Sequence, residues 1–248
     1  MAGYVRVEEH GDVALVRVDR PPANALDPEL LDEMRATAEE LSAAAPGAVV
    51  LTGREGFFSA GVDLKLVPTL DAYGQRAMVD GINRLAGAWY SFPRPVVCAV
   101  NGHTIAGGMV IALCGDYRVG CTRGKLGLTE LRAGVPYPAV PIAIVRAELT
   151  PAAARVLALR AHLVDPDEAL SLGLVDELTA PEDVLERALV VAGEMAELPP
   201  KAYWDTKREL RGETIALIAR VLEEGDPLVE SWLEAGNATA GTALLGGS

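Results

Sequence analysis

The sequence predicts an α/β protein, with a core of mainly parallel strands joined by helices and a helical C-terminal region. Two observations carry this. Short apolar runs such as Ala48–Thr52 and Val96–Val100 read as strands buried on both faces, and they alternate with stretches of helical periodicity. From Val140 onward the pattern becomes almost entirely helical. The chain has 248 residues, enough for one large core with a helical appendage.

Tyr4–Glu8 and Val13–Asp19 alternate apolar and polar residues around Gly11-Asp12, the pattern of a β-hairpin. Asp27 and Pro28 open a helix as N-cap and first residue, its apolar side recurs at Leu30, Leu31, Met34, Ala38 and Leu41, and Pro46-Gly47 ends it. Gly53 to Lys65 reads as a loop of small residues, followed by a helix over Asp71–Phe92. After the strand Val96–Val100, a glycine turn leads into a helix over Gly107–Leu113, and a strand follows around Tyr117–Gly120. The C-terminal helices are expected at Val140–Leu149, Pro151–Leu159, Pro166–Leu172, Pro181–Ala196 and Lys201–Leu222, with one strand at Leu174–Leu178. Residues 1–190 are read as the core, 191–236 as a helical region, and 237–248 as a flexible tail.

A net charge of −13 argues against a nucleic-acid or anionic-membrane binder. No stretch of about 18 apolar residues is present to span a membrane, and Cys98, Cys114 and Cys121 read as reduced thiols, so a cytoplasmic protein is expected. His10, His103 and His162 do not pair with the cysteines at ligand spacing, so no metal is expected.

Two loops carry the chemistry. Small residues at Ser59, Ala60 and Gly61 let a ligand approach the backbone, and a helix starting at Val62 would leave its N–H free. Gly107 offers a second such N–H. Two backbone donors from separate strand–helix junctions can grip one carbonyl oxygen and stabilise an enolate. Either loop alone is equally a tight turn of an α/β fold.

Asn24-Ala25-Leu26, Phe58 through Lys65, Asn101-Gly102 through Gly107-Gly108, and Gly127-Leu128-Thr129-Glu130 occur in the order seen in the crotonase superfamily, the enoyl-CoA hydratase/isomerase family. Leu172 through Asp176 matches as well, and the resemblance spans Val5 to Leu222. It implies ββα units coiled into a spiral, C-terminal helices that build a trimer or a hexamer of two trimers, an acyl-CoA thioester as substrate, and no cofactor, coenzyme A being part of the substrate. The thioester oxygen would sit between the N–H groups of Val62 and Gly107. The coenzyme and acyl chain would run along Ala23, Ala25, Ala60, Asp63, Leu64, Gly108, Val110 and Tyr137. Lys65, Arg54 and Arg84 are candidate partners for the coenzyme phosphates.

Hydratases of this family use two glutamates. Here the first position is Val110 and the second is Glu130. One carboxylate suffices for a 1,3-proton shift that converts a 3-enoyl into a 2-enoyl thioester. Isomerisation with Glu130 as acid and base is therefore the favoured expectation. Hydration and non-catalytic acyl-CoA binding are the alternatives. The competing role for Glu130 is a solvated surface acid or a structural ion-pair partner, with Arg132 as the candidate partner. Asp63 is expected to cap a helix, Asp116 and His103 to be structural, and Trp89, Tyr90 and Phe92 to pack in the core or between subunits.

Overall fold

The computed structural model describes residues 3–235, so the tail expected at 237–248 lies outside the described residues. Strands β1 (Val5–His10) and β2 (Val13–Val18) form the expected antiparallel hairpin. β2 leads through β3 (Ala25–Leu26) into α1 (Pro28–Ala44), where Asp27 accepts the Leu30 N–H at 2.9 Å as N-cap.

Three ββ pairs then follow, and in each the first strand joins one sheet while the second joins another. These are β4 (Ala48–Thr52) with β5 (Gly56–Ser59), β7 (Val96–Val100) with β8 (Gly102–Ile105), and β9 (Tyr117–Cys121) with β10 (Leu126–Gly127). The first members lie in a six-stranded sheet ordered β1-β2-β4-β7-β9-β12, parallel beyond the initial hairpin; β12 is Glu177–Thr179. The second members lie in a four-stranded sheet ordered β11-β10-β8-β5, with β11 at Leu163–Val164. A further short strand, β6 (Gly61–Val62), pairs parallel with β3. Helices α2 (Ala72–Tyr90), α3 (Gly107–Leu113) and α4 (Ala139–Glu148) follow the three pairs. This is the ββα spiral of the crotonase fold.

Alternation along the central strands divides the core in two. Val16, Val49, Leu51, Cys98 and Val100 face the main cluster, which contains α1 to α4. Leu15, Val50, Val97 and Val119 face the other way, onto Val184, Ala188, Val191 and Ala192 of α7 (Val184–Ala196). Trp89, Tyr90 and Phe92 are all at most 1% exposed and pack inside the main cluster.

Three expectations change. The loop over Gly53–Lys65 holds β5 and β6, because the edges of β8 and β3 offer it partners. The helix over Pro151–Leu159 is one α turn, α5 (Pro151–Ala154), continued as a π turn over Arg155–Leu159. The strand expected at Leu174–Leu178 starts later, at Glu177. Gly173, with φ +77°, caps α6 (Pro166–Ser171): its N–H bonds Leu170 O at 3.2 Å, and Leu174 N–H bonds Ala169 O at 2.9 Å. Leu174 and Val175 thereby close a helix end before the strand begins. The last long helix, α8 (Pro200–Glu224), returns across α2 and α4. Residues 229–235 form a further helical segment.

Candidate active site

The chain passes from β5 to β6 through a turn that is riveted by two side chains. Asn24 is fully buried at φ +50°. Its Nδ2 donates to Val18 O, Phe57 O and Phe58 O, and its Oδ1 accepts the Arg20 N–H at 2.7 Å. Ser59 Oγ donates to Asn24 O at 2.7 Å and accepts the Gly61 N–H at 3.1 Å. Ser59 is therefore more than a small residue making room. These bonds hold Gly61 at φ +79°, the left-handed region that glycine adopts without strain.

The N-terminus of α3 is pressed onto this turn. A Cβ at Gly108 would lie 2.5 Å from Ser59 O, so the close approach requires glycine there. A Cβ at Gly61 would lie 3.0 Å from Gly107 N, and a Cβ at Gly107 would lie 3.8 Å from Val62 N. The amides of Val62 and Gly107 thus border one small space. As the first residue of α3, Gly107 has no intrahelical acceptor for its N–H. The preceding residue, Ala106, has φ +52° and ψ −125°, a strained conformation for a residue with a side chain.

Val62 reaches this position differently from expectation. No helix begins there. Val62 ends β6, the Asp63 N–H continues the ladder to Leu26 O at 2.9 Å, and the next helical turn is the 3-10 segment Val67–Thr69. Asp63 accordingly caps no helix. Its carboxylate accepts the Lys65 N–H at 3.1 Å and lies 3.5 Å from Arg20, which also pairs with Asp27 at 2.6 Å.

Behind the two amides lies an apolar cavity of about 200 Å³. Val62, Gly107, Ala60, Leu64, Val110 and Glu130 all line it. Ala23, Ala25, Asp63, Gly108 and Tyr137 do not. Ala23 and Ala25 are half-buried beside β6, while Gly108 is spent on helix packing. Arg54 lies 3.2 Å from Asp19 and Arg84 lies 2.6 Å from Asp80, so both of these cations already have carboxylate partners. Among the described residues, Glu130 is the one ionisable side chain in the lining.

Glu130 begins a short 3-10 turn, Glu130–Ala133, with two residues between it and the end of β10. It forms no ion pair with Arg132 among the described residues, so the structure does not support the ion-pair alternative. Its Oε2 is buried without a hydrogen-bond partner among the described residues. Burial pushes its pKa up to about 7, opposed by Tyr137 and by the backbone N–H groups of Glu130 and Thr129. Tyr137 is 7% exposed, and its own ionisation is driven far up by burial first and then by Glu130.

The sequence reading missed most of the apolar wall, including residues on elements far from its motifs. Ile82, Leu85 and Ala86 of α2, and Trp232 far along the chain, are part of that wall. Their apolar character marked them only as core. Asp116 fulfils its structural expectation by accepting the Val96 N–H at 2.8 Å and pairing with Lys207 and Arg211. Among the described residues, no group of three His, Cys, Asp or Glu side chains is placed to hold a metal ion. No helix among them is long and apolar enough to cross a membrane.

Comparison with known proteins agrees with this geometry. Residues 8–232 match the family described as enoyl-CoA hydratase/isomerase. A putative enoyl-CoA hydratase of Thermus thermophilus is 37% identical over 223 residues, covering 88% of this chain and 86% of that protein. Among solved structures, enoyl-CoA hydratase EchA3 of Mycobacterium ulcerans superposes with a TM-score of 0.86 at 29% identity, over 93% of this chain and 100% of the other. Human mitochondrial delta3-delta2-enoyl-CoA isomerase superposes with a TM-score of 0.89 at 28% identity, over 98% and 97%. The chain belongs to the crotonase superfamily as an enzyme of the enoyl-CoA hydratase/isomerase family.

Proposed function

We propose that this enzyme isomerises 3-enoyl-CoA to 2-enoyl-CoA, with Glu130 as its acid and base. The observation that carries the reading is that, among the described residues, Glu130 is the one ionisable side chain lining the cavity, while Val110 lines it one helical turn inside α3. The Val62 and Gly107 N–H groups hold the thioester oxygen. Glu130 takes a proton from C2, the negative charge is shared by the thioester oxygen, C2 and C4, and the same carboxyl returns the proton to C4. The double bond then lies between C2 and C3, and Glu130 ends ionised as it began. A carboxyl with a pKa of about 7 exchanges protons readily in both directions near neutral pH. The amide pair stabilises the dienolate where its negative charge collects. The scheme draws on coenzyme A only as part of the substrate.

Hydration is the second reading, and the description of the Thermus relative as a putative hydratase favours it. It needs a second group to hold and activate water, and no other carboxylate lines the cavity among the described residues. Assembly as a homotrimer or a hexamer, in the cytoplasm, belongs to the same proposal. It is supported by the family and by apolar side chains such as Leu210, 83% exposed on α8.

Isotope tracing separates the two readings. A 3-enoyl-CoA carrying deuterium at C2 should yield a 2-enoyl-CoA with part of the label at C4. Accumulation of a 3-hydroxyacyl-CoA as the main product from either enoyl isomer would favour hydration.

A further inference from the structure

We propose that Trp232 is the chain-length stop of the acyl pocket, making this a short- to medium-chain enzyme. The inference rests on the reading of the cavity as an acyl site, and it concerns which acyl groups the cavity admits.

The cavity wall includes both solvent-exposed and fully buried residues. Leu64 is 51% exposed, and Ala60, Ala106 and Gly107 are half-buried beside it. Other parts of the wall are closed off from solvent: Leu85, Ala86 and Trp232 are 1%, 2% and 3% exposed. On the proposal, a thioester held between Val62 and Gly107 directs its acyl chain along this buried wall to Trp232, which lines the same cavity. At roughly 30 Å³ for each water-sized group, a cavity of about 200 Å³ holds about six or seven non-hydrogen atoms. A longer chain meets the indole.

Trp232 is held in place by the segment that precedes it, residues 226–230. Asp226 Oδ2 accepts from Asn83 Nδ2 and from the Ala139 N–H, both at 2.8 Å, which fixes the chain after α8 to α2 and to the start of α4. Asn83 is itself buried among Ile82, Leu85 and Ala86 of α2, and its Oδ1 accepts the Val140 N–H at 3.2 Å. Glu230 pairs with Arg76 of α2 at 2.6 Å. The Trp232 N–H donates to Leu228 O at 3.1 Å, in a turn opened by Asp226 Oδ1 accepting the Leu228 N–H at 2.7 Å. The indole is thus part of a fixed wall, and its size sets the depth of the pocket.

The test is the dissociation constant of saturated acyl-CoA esters from four to twelve carbons, measured by calorimetry for the wild-type protein, W232L and W232A. The wild type should bind best near six carbons and lose about tenfold or more by ten carbons, the scale on which a pocket rejects surplus methylenes. W232A should recover the ten-carbon ester by about tenfold relative to the six-carbon one, and W232L by less. W232L retains an apolar plug and guards against loss of folding in W232A. An unchanged ratio in folded W232L and W232A, or wild-type affinity that keeps rising to twelve carbons, would overturn the proposal. These measurements need no turnover, so they succeed or fail independently of the isomerase reading, which a 3-enoyl-CoA assay of the same samples tests.

Discussion

Tyr137 lies against Glu130, and Tyr137 Oη and Glu130 Oε2 are both buried without a hydrogen-bond partner among the described residues. Two unsatisfied polar atoms on neighbouring groups are costly unless they serve each other. A small rotation of either side chain lets the hydroxyl donate to the carboxylate. That bond favours ionised Glu130, whereas burial disfavours it.

Y137F removes this donor, so the Glu130 pKa should rise further. The acid limb of kcat/KM, expected near pH 7, should move to higher pH by up to about one unit. A Tyr137 that only fills space would leave the limb where it is. A pH–rate profile of the two proteins decides between these.

E130Q should lower turnover of a 3-enoyl-CoA by about 10²–10⁴-fold, the range for loss of a positioned acid–base group. It should also change stability with a definite sign. The folded-state value of about 7 lies above the ordinary 4.5, so the folded protein holds more protons than the unfolded chain between these values. Stability falls as pH rises through that window, and ionised Glu130 costs on the order of 3 kcal/mol at pH 8. Thermal melts should place E130Q above the wild type at pH 8, with the gap closing near pH 4.

G108A should damage the site through its backbone. Its Cβ would sit 2.5 Å from Ser59 O, so α3 must move away from the β5–β6 turn and separate the Val62 and Gly107 amides. Loss of one oxyanion donor lowers kcat by about 10²–10³-fold. A transition-state-like dienolate analogue should lose affinity in G108A by more than a ground-state acyl-CoA does, as competition binding would show.

D116N tests what fastens α8. Asp116 lies 2.7 Å from Lys207 and 3.2 Å from Arg211, and all three side chains are at most 9% exposed. Arg211 also reaches Glu148 at 3.2 Å and stacks on Tyr90 with its guanidinium carbon 4.2 Å from the ring centroid. Neutralising one member of a buried set leaves uncompensated charge, costing about 3–5 kcal/mol. Chemical denaturation should show that loss. Turnover by the folded fraction should stay near normal, because the cluster does not line the cavity.

Much of this was legible in the sequence because the signals were local. Asp27-Pro28 announces α1, the apolar runs announce β4 and β7, and Gly107-Gly108 marks the close approach of α3 to a neighbouring backbone. Glu130 and Val110 were placed by register with a known family. The short strands β5 and β6 were not legible, because two to four residues of pairing depend on edges supplied by β8 and β3. Neither was Trp232, whose place at the cavity depends on Asp226 and Glu230 tying a distant segment to α2. Asn24 and Ser59 act through buried hydrogen bonds between segments more than 30 residues apart, which no spacing pattern encodes.

The most direct test measures the wild type and E130Q side by side, on a six-carbon 3-enoyl-CoA for isomerisation and its 2-enoyl isomer for hydration. Isomerisation well above hydration in the wild type, and near its disappearance in E130Q, is the predicted result. Hydration exceeding isomerisation, or full isomerase turnover by folded E130Q, would contradict the assignment of Glu130 as the single acid and base of an isomerase.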